Sequence, residues 1–353
     1  MVNRRRLEDI LERINTVDVG VVGDGCLDIY WLADMRLSEL SLETPYFPLP
    51  VVQEQMSLGA GSNVAMNLSR MGCRTVTMAT VIGEDWRGRE WSAKLREANI
   101  SDQFVIKEAS WATPAYCKPI RRGLSHEQYE DSRIDFVNHA PLPLRLSDQL
   151  SEYVRELGDQ MDAIVVSDQF RSGVMTSAVI DAVNQQSQNE KRCFVDSRYR
   201  LRMYHKGIVK PNCLELMRAV YPNRDSYEAG IEKVMEAGRI LHRQTQASVC
   251  ATLGSQGLIW VEDDQISHYP AVPVTMPIDS VGAGDAFIAA LAAAMAAGAG
   301  RDEAVYLATL VASVVVKKIG VTGAASPDEI LAIHDQVANS MISATFTNAN
   351  NAN

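Results

Sequence analysis

The residue pattern that bears most directly on chemistry is a glycine-rich turn that ends in an acidic side chain, Gly282-Ala283-Gly284-Asp285. Gly282 and Gly284 lack Cβ, so the backbone can turn tightly and bring successive N–H groups close to an anion. An alanine-rich helix is predicted from Asp285 to about Ala297, and its first N–H groups would face the same point. The pattern predicts a phosphate site in which Asp285 accepts a proton from an attacking hydroxyl.

A simpler interpretation also fits these residues, namely a glycine-containing loop followed by a helix with an aspartate in its first turn. Short glycine motifs occur by chance. On the chemical interpretation, the backbone N–H groups from Val281 to Gly284 stabilise charge on a transferred phosphoryl group. The choice between the two depends on the elements around the turn.

Apolar runs typical of strands alternate with helical patterns through most of the chain. The runs at 18–22, 75–81 and 163–167 are each followed by a predicted helix, and this alternation predicts an α/β fold with a central, mainly parallel sheet flanked by helices. In such sheets ligands bind beyond the carboxyl ends of the strands. We therefore expect one crevice to collect four polar residues that follow predicted strands: Asp28, Asp168, Asp196 and Asn212.

Composition narrows the classes of protein and partner. The chain has 353 residues, 46% of them hydrophobic, which is ample for a large α/β domain. Its net charge of −10 argues against nucleic acid or an anionic membrane as a partner. The six cysteines lack metal-ligand spacing, so we expect free thiols and a cytoplasmic location. The basic start lacks the apolar run of an export signal, and residues 1–17 are expected to form an amphipathic helix.

Four motifs spread along the chain resemble those of one family. Residues 279–285 resemble the carboxy-terminal signature of the ribokinase-like carbohydrate kinases (the PfkB family), and residues 59–72 resemble the amino-terminal one. Residues 210–215 resemble the family's Asn-x-x-Glu element, and residues 252–257 its nucleotide-side loop. The resemblance spans about residues 18–330 and implies a ribokinase-like fold, ATP as phosphoryl donor and Mg²⁺ as cofactor.

On the sugar side, the resemblance implies that Asp28 accepts hydrogen bonds from sugar hydroxyls, because an ionised carboxylate only accepts. Gly59, Gly61 and Asn63 would bring backbone and amide groups against the sugar. The alternative for Asn63 is a helix cap. Asp168 is a further candidate for a sugar or phosphate contact, whereas Asp24 is expected to be a carboxylate of a turn.

On the nucleotide side, Asn212 would lie near the phosphates and Glu215 near Mg²⁺, although a helix-capping pair is the alternative for these two residues. Thr252, Gly254 and Gly257 would approach ADP, and an ordinary hairpin is their alternative. Asp279 resembles a ligand of the monovalent cation of relatives, so K⁺ is a possible cofactor.

A phosphorylated sugar would need positive charge in this acidic protein. Our candidates are Arg121 and Arg122, from a basic group near the predicted lid: Lys118, Arg121, Arg122 and Arg133. A rival group follows Asp196 along the chain: Arg198, Arg200 and Arg202. Basic runs are usually solvated faces, which is the alternative for both groups.

The family resemblance also implies a domain organisation. The kinase domain would cover residues 18–339, with a small β-sheet lid formed by about 29–58 and 104–137. In many relatives lids pair between subunits, so a homodimer is expected. The polar tail, 340–353, is expected to be disordered.

Within the family, residues 23–31 and 41–52 look most like kinases that phosphorylate a heptose 7-phosphate at its anomeric oxygen. The expected function is therefore that of an ATP-dependent sugar kinase, and 353 residues would make it a stand-alone kinase. Two alternatives stay open: another sugar or nucleoside kinase of the family, and a catalytically silent sugar- or nucleotide-binding regulator. Retention of Asp285 and the glycine turn argues against the silent protein.

Overall fold

Strands and helices alternate along most of the chain, as the apolar pattern predicts. A computed structural model describes residues 2–123, 125, 127–223, 229–320 and 322–350, and for residues 340–350 it describes the backbone alone. The strands are, in chain order, β1 (Asp18–Gly23), β2 (Gly25–Asp34), β3 (Val51–Ala60), β4 (Thr75–Gly83), β5 (Ser101–Glu108), β6 (Ala115–Arg122), β7 (Gln128–Glu130), β8 (Ile134–Phe136), β9 (Ala163–Asp168), β10 (Arg192–Ser197), β11 (Ile208–Val209), β12 (Ser248–Thr252), β13 (Leu258–Glu262) and β14 (Gln265–Tyr269). The helices are α1 (Arg4–Ile14), α2 (Gly61–Met71), α3 (Trp86–Glu97), α4 (Leu144–Gln160), α5 (Ser177–Gln188), α6 (Cys213–Val220), α7 (Ile231–Thr245), α8 (Ala283–Ala296), α9 (Arg301–Val315) and α10 (Pro327–Asn350).

Nine strands form the large sheet, in the order β14-β13-β12-β11-β10-β9-β1-β4-β5. Neighbours from β12 to β5 pair in parallel, and β13 and β14 form an antiparallel edge. Successive strand residues point to opposite faces, so Val165 packs in the same apolar cluster as α8 and α9, whereas Ile164 and Val166 pack with α4 and α5. The predicted mainly parallel sheet, covered by helices, is confirmed.

A second sheet of five strands forms the lid. Its order is β3-β2-β6-β7, and β8 pairs with β6 beside β7. The predicted lid segment 104–137 begins too early, because residues 104–108 belong to β5, which pairs in parallel with β4 of the large sheet. The alternating pattern at Phe104–Lys107 is that of an edge strand with one buried face, and sequence alone does not tell which sheet such a strand joins. Residues 124 and 126 lie outside the described residues.

The first and last elements of the described chain are helices. In α1 the side chains of Leu7, Ile10 and Ile14 are fully buried in the core, as the amphipathic pattern of residues 1–17 predicts. Helix α10 continues to Asn350 and overlaps the tail 340–353, whose side chains lie outside the described residues. Within the described part of the chain, no helix has both the length and the apolar character that crossing a bilayer requires.

Asp24, between β1 and β2, joins two loops at the carboxyl edge of the large sheet. Its carboxylate is buried and accepts hydrogen bonds from the backbone N–H groups of Gln169 (2.8 Å), Phe170 (2.9 Å) and Val174 (2.8 Å). Burial and the nearby charge of Asp168 raise the pKa of Asp24 to about 6. The side chain therefore acts as a turn carboxylate that fixes the loop after β9.

Asp24→Ala should lower the free energy of unfolding by about 3 kcal/mol, because three buried N–H donors lose a charged acceptor. Urea denaturation measures the change. Asp181→Ala, an exposed aspartate on α5, is the matched control and should change stability by less than about 0.5 kcal/mol. An Asp24 variant as stable as this control would contradict the structural role.

Candidate active site

A cavity of about 660 Å³ lies between the lid sheet and the carboxyl edge of the large sheet. Its lining includes residues from both sheets, from the loop before α8 and from the loop after α9. Charged, polar and glycine residues make up much of the lining: Asp28, Tyr30, Lys118, Arg133, Asp196, Arg198, Lys210, Asn212, Glu215, Thr252, Gly254, Asp279, Gly282, Gly284, Asp285 and Thr322. The predicted convergence on one crevice therefore brings together residues from the whole length of the chain.

Asp285 stands in the first turn of α8, at the wall of this cavity. Its Oδ2 accepts a hydrogen bond of 2.8 Å from the Asn63 amide of α2, so the alternative of a helix cap for Asn63 does not apply to this side chain. Burial, and then the negative charge of Asp196, raises the pKa of Asp285 to about 7. A carboxyl group with that pKa can both take up and release a proton near neutral pH.

Lys210 places a buried positive charge beside the glycine turn. Its ammonium forms an ion pair of 2.9 Å with Asp196, and it lies 3.4 Å from the point where a Cβ on Gly284 would stand. Burial opposes the charge, but the carboxylates of Asp196 and Glu215 outweigh this effect and the pKa of Lys210 rises above its ordinary value. The floor of the cavity therefore carries a permanent cation.

Two of the four N–H groups of the predicted glycine turn are already hydrogen-bonded within the protein. Gly282 has φ +77°, and a Cβ there would stand 3.1 Å from the Asn63 amide nitrogen. The N–H of Val281 donates to Asp279, and the N–H of Ala283 donates to the Ser280 carbonyl at 3.3 Å. The expectation that all N–H groups from Val281 to Gly284 serve as an anion hole is therefore corrected: among the described residues, those of Gly282, Gly284 and Asp285 have no acceptor within the protein.

Asp28 lies on the lid side of the cavity. Its Oδ2 accepts a hydrogen bond of 2.6 Å from the Thr322 hydroxyl and lies 3.7 Å from the Lys118 ammonium. Gly59 allows β3 to pass close by, since a Cβ there would meet Asp28 Oδ1 at 3.0 Å. Gly61 lies behind the cavity wall, where its N–H donates to the Asp24 carbonyl at 2.9 Å. Neither glycine is among the described residues that line the cavity, and only Gly59 lies against the Asp28 carboxylate.

The helix-capping alternative for Asn212 and Glu215 is observed, while their nucleotide-side role stays a prediction. The two residues form a reciprocal capping box at the start of α6, with bonds of 2.8 and 2.9 Å, and both also line the cavity. Burial and the charge of Asp196 raise the pKa of Glu215. Thr252 lines the cavity from the end of β12, and Gly254 lines it from the loop that joins β12 to the antiparallel strand β13.

Two further residues of the predicted site, Gly257 and Asp279, have roles in the backbone structure of the loops around the cavity. Gly257 is the last residue of the loop between β12 and β13 and has φ +87°. It is not among the described residues that line the cavity. Asp279 does line the cavity, and its two carboxylate oxygens accept hydrogen bonds of 3.0 Å from Val281 and Gly320. Asp279 thereby ties the loop before α8 to the loop after α9.

Three predicted substrate residues are not brought to the cavity. Asp168 is fully buried, and its carboxylate binds Ser197, Arg200 and Tyr204. Arg121 pairs with Asp131, and Arg122 pairs with Asp34 of the lid at 2.6 Å. Each of these three side chains is paired with an oppositely charged neighbour on an adjacent strand or loop. The spacing of residues along the sequence does not predict such pairs. Among the described residues that line the cavity, the lid cations are Lys118 and Arg133, and each also has an acidic partner, Asp28 at 3.7 Å and Asp135 at 2.6 Å.

The sequence analysis did not assign a role to Tyr30, Lys210 or Thr322, although all three line the cavity. Lys210 had one usable signal, its position directly before Pro211-Asn212 at the end of a predicted strand. Tyr30 and Thr322 had none, because their proximity depends on how the lid sits on the large sheet.

The architecture resembles that of solved ribokinase-like structures. Phosphofructokinase-2 of Escherichia coli in complex with fructose-6-phosphate has a TM-score of 0.70 and 20% identity, covering 92% of this chain and 100% of that one. Ribokinase of Thermotoga maritima has a TM-score of 0.67 and 19% identity, covering 90% of this chain and 99% of that one. The ribokinase-like fold is therefore confirmed.

The sequence itself matches the same class. Residues 50–329 match the model of the pfkB family carbohydrate kinases, and the chain belongs to this family. The prediction of a sugar kinase is thereby confirmed at the level of the family. "Bifunctional protein HldE" of Pelobacter propionicus is 28% identical over 94% of this chain and 66% of its own length, and that of Trichlorobacter lovleyi is 29% identical over 94% and 65%. The chain thus spans about two thirds of the length of these curated relatives.

Asp285→Asn should raise the melting temperature by a few degrees at pH 8.5, and the difference should vanish as the pH falls to about 4. The folded pKa of about 7 lies above the ordinary value of 3.8, so the wild-type carboxyl destabilises the fold fully above pH 7 and not at all below pH 4. Asparagine keeps an oxygen for the Asn63 amide and removes the charge. Calorimetric melts across this pH range measure the effect, and a pH-independent difference would refute the assigned burial.

Proposed function

We propose that this protein is an ATP-dependent carbohydrate kinase that transfers the γ-phosphoryl group to a sugar hydroxyl, with Asp285 as the base. The observation that carries the proposal is the position of the Asp285 carboxylate, which shares one cavity with the acceptor candidate Asp28 and stands at the helix N-terminus that follows the glycine turn. Family membership supports the same reaction class.

The transfer needs few groups from the protein. Asp285 takes the proton of the acceptor hydroxyl as that oxygen forms a bond to the γ-phosphorus. The bond from the γ-phosphorus to the bridging oxygen breaks, and its electron pair leaves with ADP. The N–H groups of Gly284 and Asp285 and the ammonium of Lys210 stabilise the charge on the transferred group.

Mg²⁺ fits the residues present. Glu215 lines the cavity with a buried carboxylate, of which Oε2 accepts the capping bond from Asn212. Within the described chain there is no cluster of three or more potential metal ligands, which suits an ion held by phosphates, water and one carboxylate. Mg²⁺ neutralises charge on the nucleotide phosphates when it is bound. Asn212, Thr252 and Gly254 would contact that nucleotide.

A phosphorylated acceptor is favoured by the cations of the cavity. Arg198 follows β10, lines the cavity and has no ion pair to an acidic residue within the described chain. Arg133, from the lid, stacks on Tyr116 at 3.9 Å but is already paired with Asp135 at 2.6 Å. We propose that Arg198, rather than Arg121 or Arg122, binds a substrate phosphate, because guanidinium matches phosphate geometry.

A heptose 7-phosphate, phosphorylated at the anomeric oxygen, is the acceptor we propose. Support comes from the motif resemblance of residues 23–31 and 41–52 and from the identity of about 28% to relatives named bifunctional protein HldE.

We also propose that a K⁺ ion binds near Asp279. One phosphofructokinase-2 neighbour was solved in complex with potassium, and in this chain Asp279 holds together two loops that line the cavity.

We also propose a homodimer formed through the lid. Large apolar side chains are exposed on or beside the lid sheet: Leu40, Leu42, Tyr46, Phe47, Val51, Val52, Tyr129 and Ile134. Such a surface fits a second copy of the chain. Light scattering measures the mass in solution, and a monomer at micromolar concentration would contradict this pairing.

The kinase is tested by ADP release with Mg-ATP across heptose 7-phosphate, ribose, fructose, fructose 6-phosphate and adenosine. We expect turnover on heptose 7-phosphate and a loss of at least ~100-fold in kcat for Asp285→Asn, because the general base is removed while the shape of the site is kept. Asp159→Asn, an exposed aspartate at the end of α4, is the matched control. A folded wild-type protein that binds ATP but releases no ADP with any of these acceptors would favour a silent regulator.

Arg198→Gln should raise KM for heptose 7-phosphate at least ~10-fold, because a charged hydrogen bond to the phosphate is lost, and should change KM for ATP much less. Steady-state kinetics with both substrates varied measures the two constants. Arg121→Gln is the matched control, since Arg121 is paired with Asp131 away from the cavity lining. If Arg121→Gln raised the sugar KM and Arg198→Gln did not, the assignment of the phosphate site would be reversed.

A further inference from the structure

Four polar side chains form a closed ring at the acceptor end of the cavity. The Lys118 ammonium donates to the Tyr30 hydroxyl at 2.8 Å, and the Tyr30 hydroxyl lies 3.5 Å from the Thr322 hydroxyl. The Thr322 hydroxyl donates to Asp28 at 2.6 Å, and Asp28 faces the Lys118 ammonium at 3.7 Å. Lys118, Tyr30 and Asp28 are nearly fully buried.

The direction of the hydrogen bonds around the ring follows from the chemistry of its members. The Lys118 ammonium only donates, and a carboxylate such as that of Asp28 only accepts. The Thr322 proton points to Asp28, so the Thr322 oxygen is left to accept from Tyr30. Each of the two hydroxyl groups therefore donates one hydrogen bond and accepts one. Only one set of hydrogen-bond directions is consistent with all four side chains.

Thr322 differs from the other three members in where it comes from. Asp28 and Tyr30 stand on β2 and Lys118 stands on β6, which are neighbouring strands of the lid sheet. Thr322 belongs to the loop between α9 and α10, against the large sheet's side of the cavity. Its methyl carbon lies 3.2 Å from the point where a Cβ on Gly282 would stand. One residue thus contacts the acceptor carboxylate with its hydroxyl and the glycine turn with its methyl group.

We infer that Thr322 is a positioning residue, which orients the Asp28 carboxylate for the acceptor sugar and holds the lid at a defined distance from the glycine turn. The inference rests on the proposed function, because Asp28 must bind a sugar for its orientation to affect turnover. A hydroxyl that donates to Oδ2 fixes the rotation of the carboxylate and leaves the remaining lone pairs of Asp28 in one orientation towards the cavity.

A space-filling role for Thr322 makes the opposite prediction, and two substitutions separate the roles. Thr322→Val keeps the shape and removes the hydroxyl, whereas Thr322→Ser keeps the hydroxyl and removes the methyl group. For a positioning hydroxyl, Thr322→Val should raise KM for the acceptor about tenfold, with KM for ATP changed less than about twofold, because one hydrogen bond to a carboxylate is lost. Thr322→Ser should restore the acceptor KM to within about threefold of wild type.

The measurement is steady-state kinetics with heptose 7-phosphate, or with whichever sugar of the acceptor panel turns over fastest, for wild type and both variants. Calorimetric titration of the same sugar without ATP gives the binding constant independently of turnover. Tyr30→Phe, which removes the donor to Thr322, is a second variant and should weaken acceptor binding in the same direction by a smaller factor.

The possible outcomes separate the inference from the proposed function. A wild-type enzyme that turns over, with Thr322→Val unchanged or with Thr322→Ser as the more damaged variant, would overturn the positioning role and leave the kinase intact. A wild-type protein that neither binds nor phosphorylates any sugar of the panel would overturn both. Equal increases in KM for the sugar and for ATP would assign Thr322 to packing of the whole cavity.

Discussion

The hydrogen bond between Asn63 and Asp285 is the interaction around which the site is organised. It joins the first turn of α2 to the first turn of α8, two helices far apart in the chain that pack side by side on one face of the large sheet. A buried carboxylate without a directly bonded cation is costly, and here the nearest cation, Lys210, is engaged by Asp196. The result is a carboxyl group that holds its proton up to about neutral pH.

Elsewhere in the cavity, buried lysine and aspartate side chains form oppositely charged pairs. Lys210 offsets Asp196 beneath the glycine turn, and Lys118 offsets Asp28 beneath the lid. Arg198 is left without an acidic partner in the described chain, in a protein of net charge −10. This guanidinium, together with the carboxylates on both sides of the cavity, is what supports the proposal of an anionic sugar as acceptor.

Errors in the sequence analysis have one common cause. Arg121, Arg122 and Asp168 were chosen for charge and position along the chain, and each turned out to have a partner supplied by another element. Residues 104–108 showed the alternation of a strand, and the partner strand, β4, decided the sheet to which they belong. Charge and alternation are local properties, whereas neutralisation and pairing depend on contacts between distant segments.

The sequence by itself determined the parallel sheet, the glycine turn with its acidic residue, and the family motifs, because these depend on periodicity, on the absence of Cβ and on short spacings. The tertiary structure alone decided which charged side chains of the cavity lack a partner in the described chain and which N–H groups of the glycine turn lack an acceptor there. It also decided that Thr322, beside the large sheet, bonds to Asp28 of the lid. Those outcomes are set by distances of a few ångströms between residues hundreds of positions apart. Only the packing of helices and sheets fixes such distances.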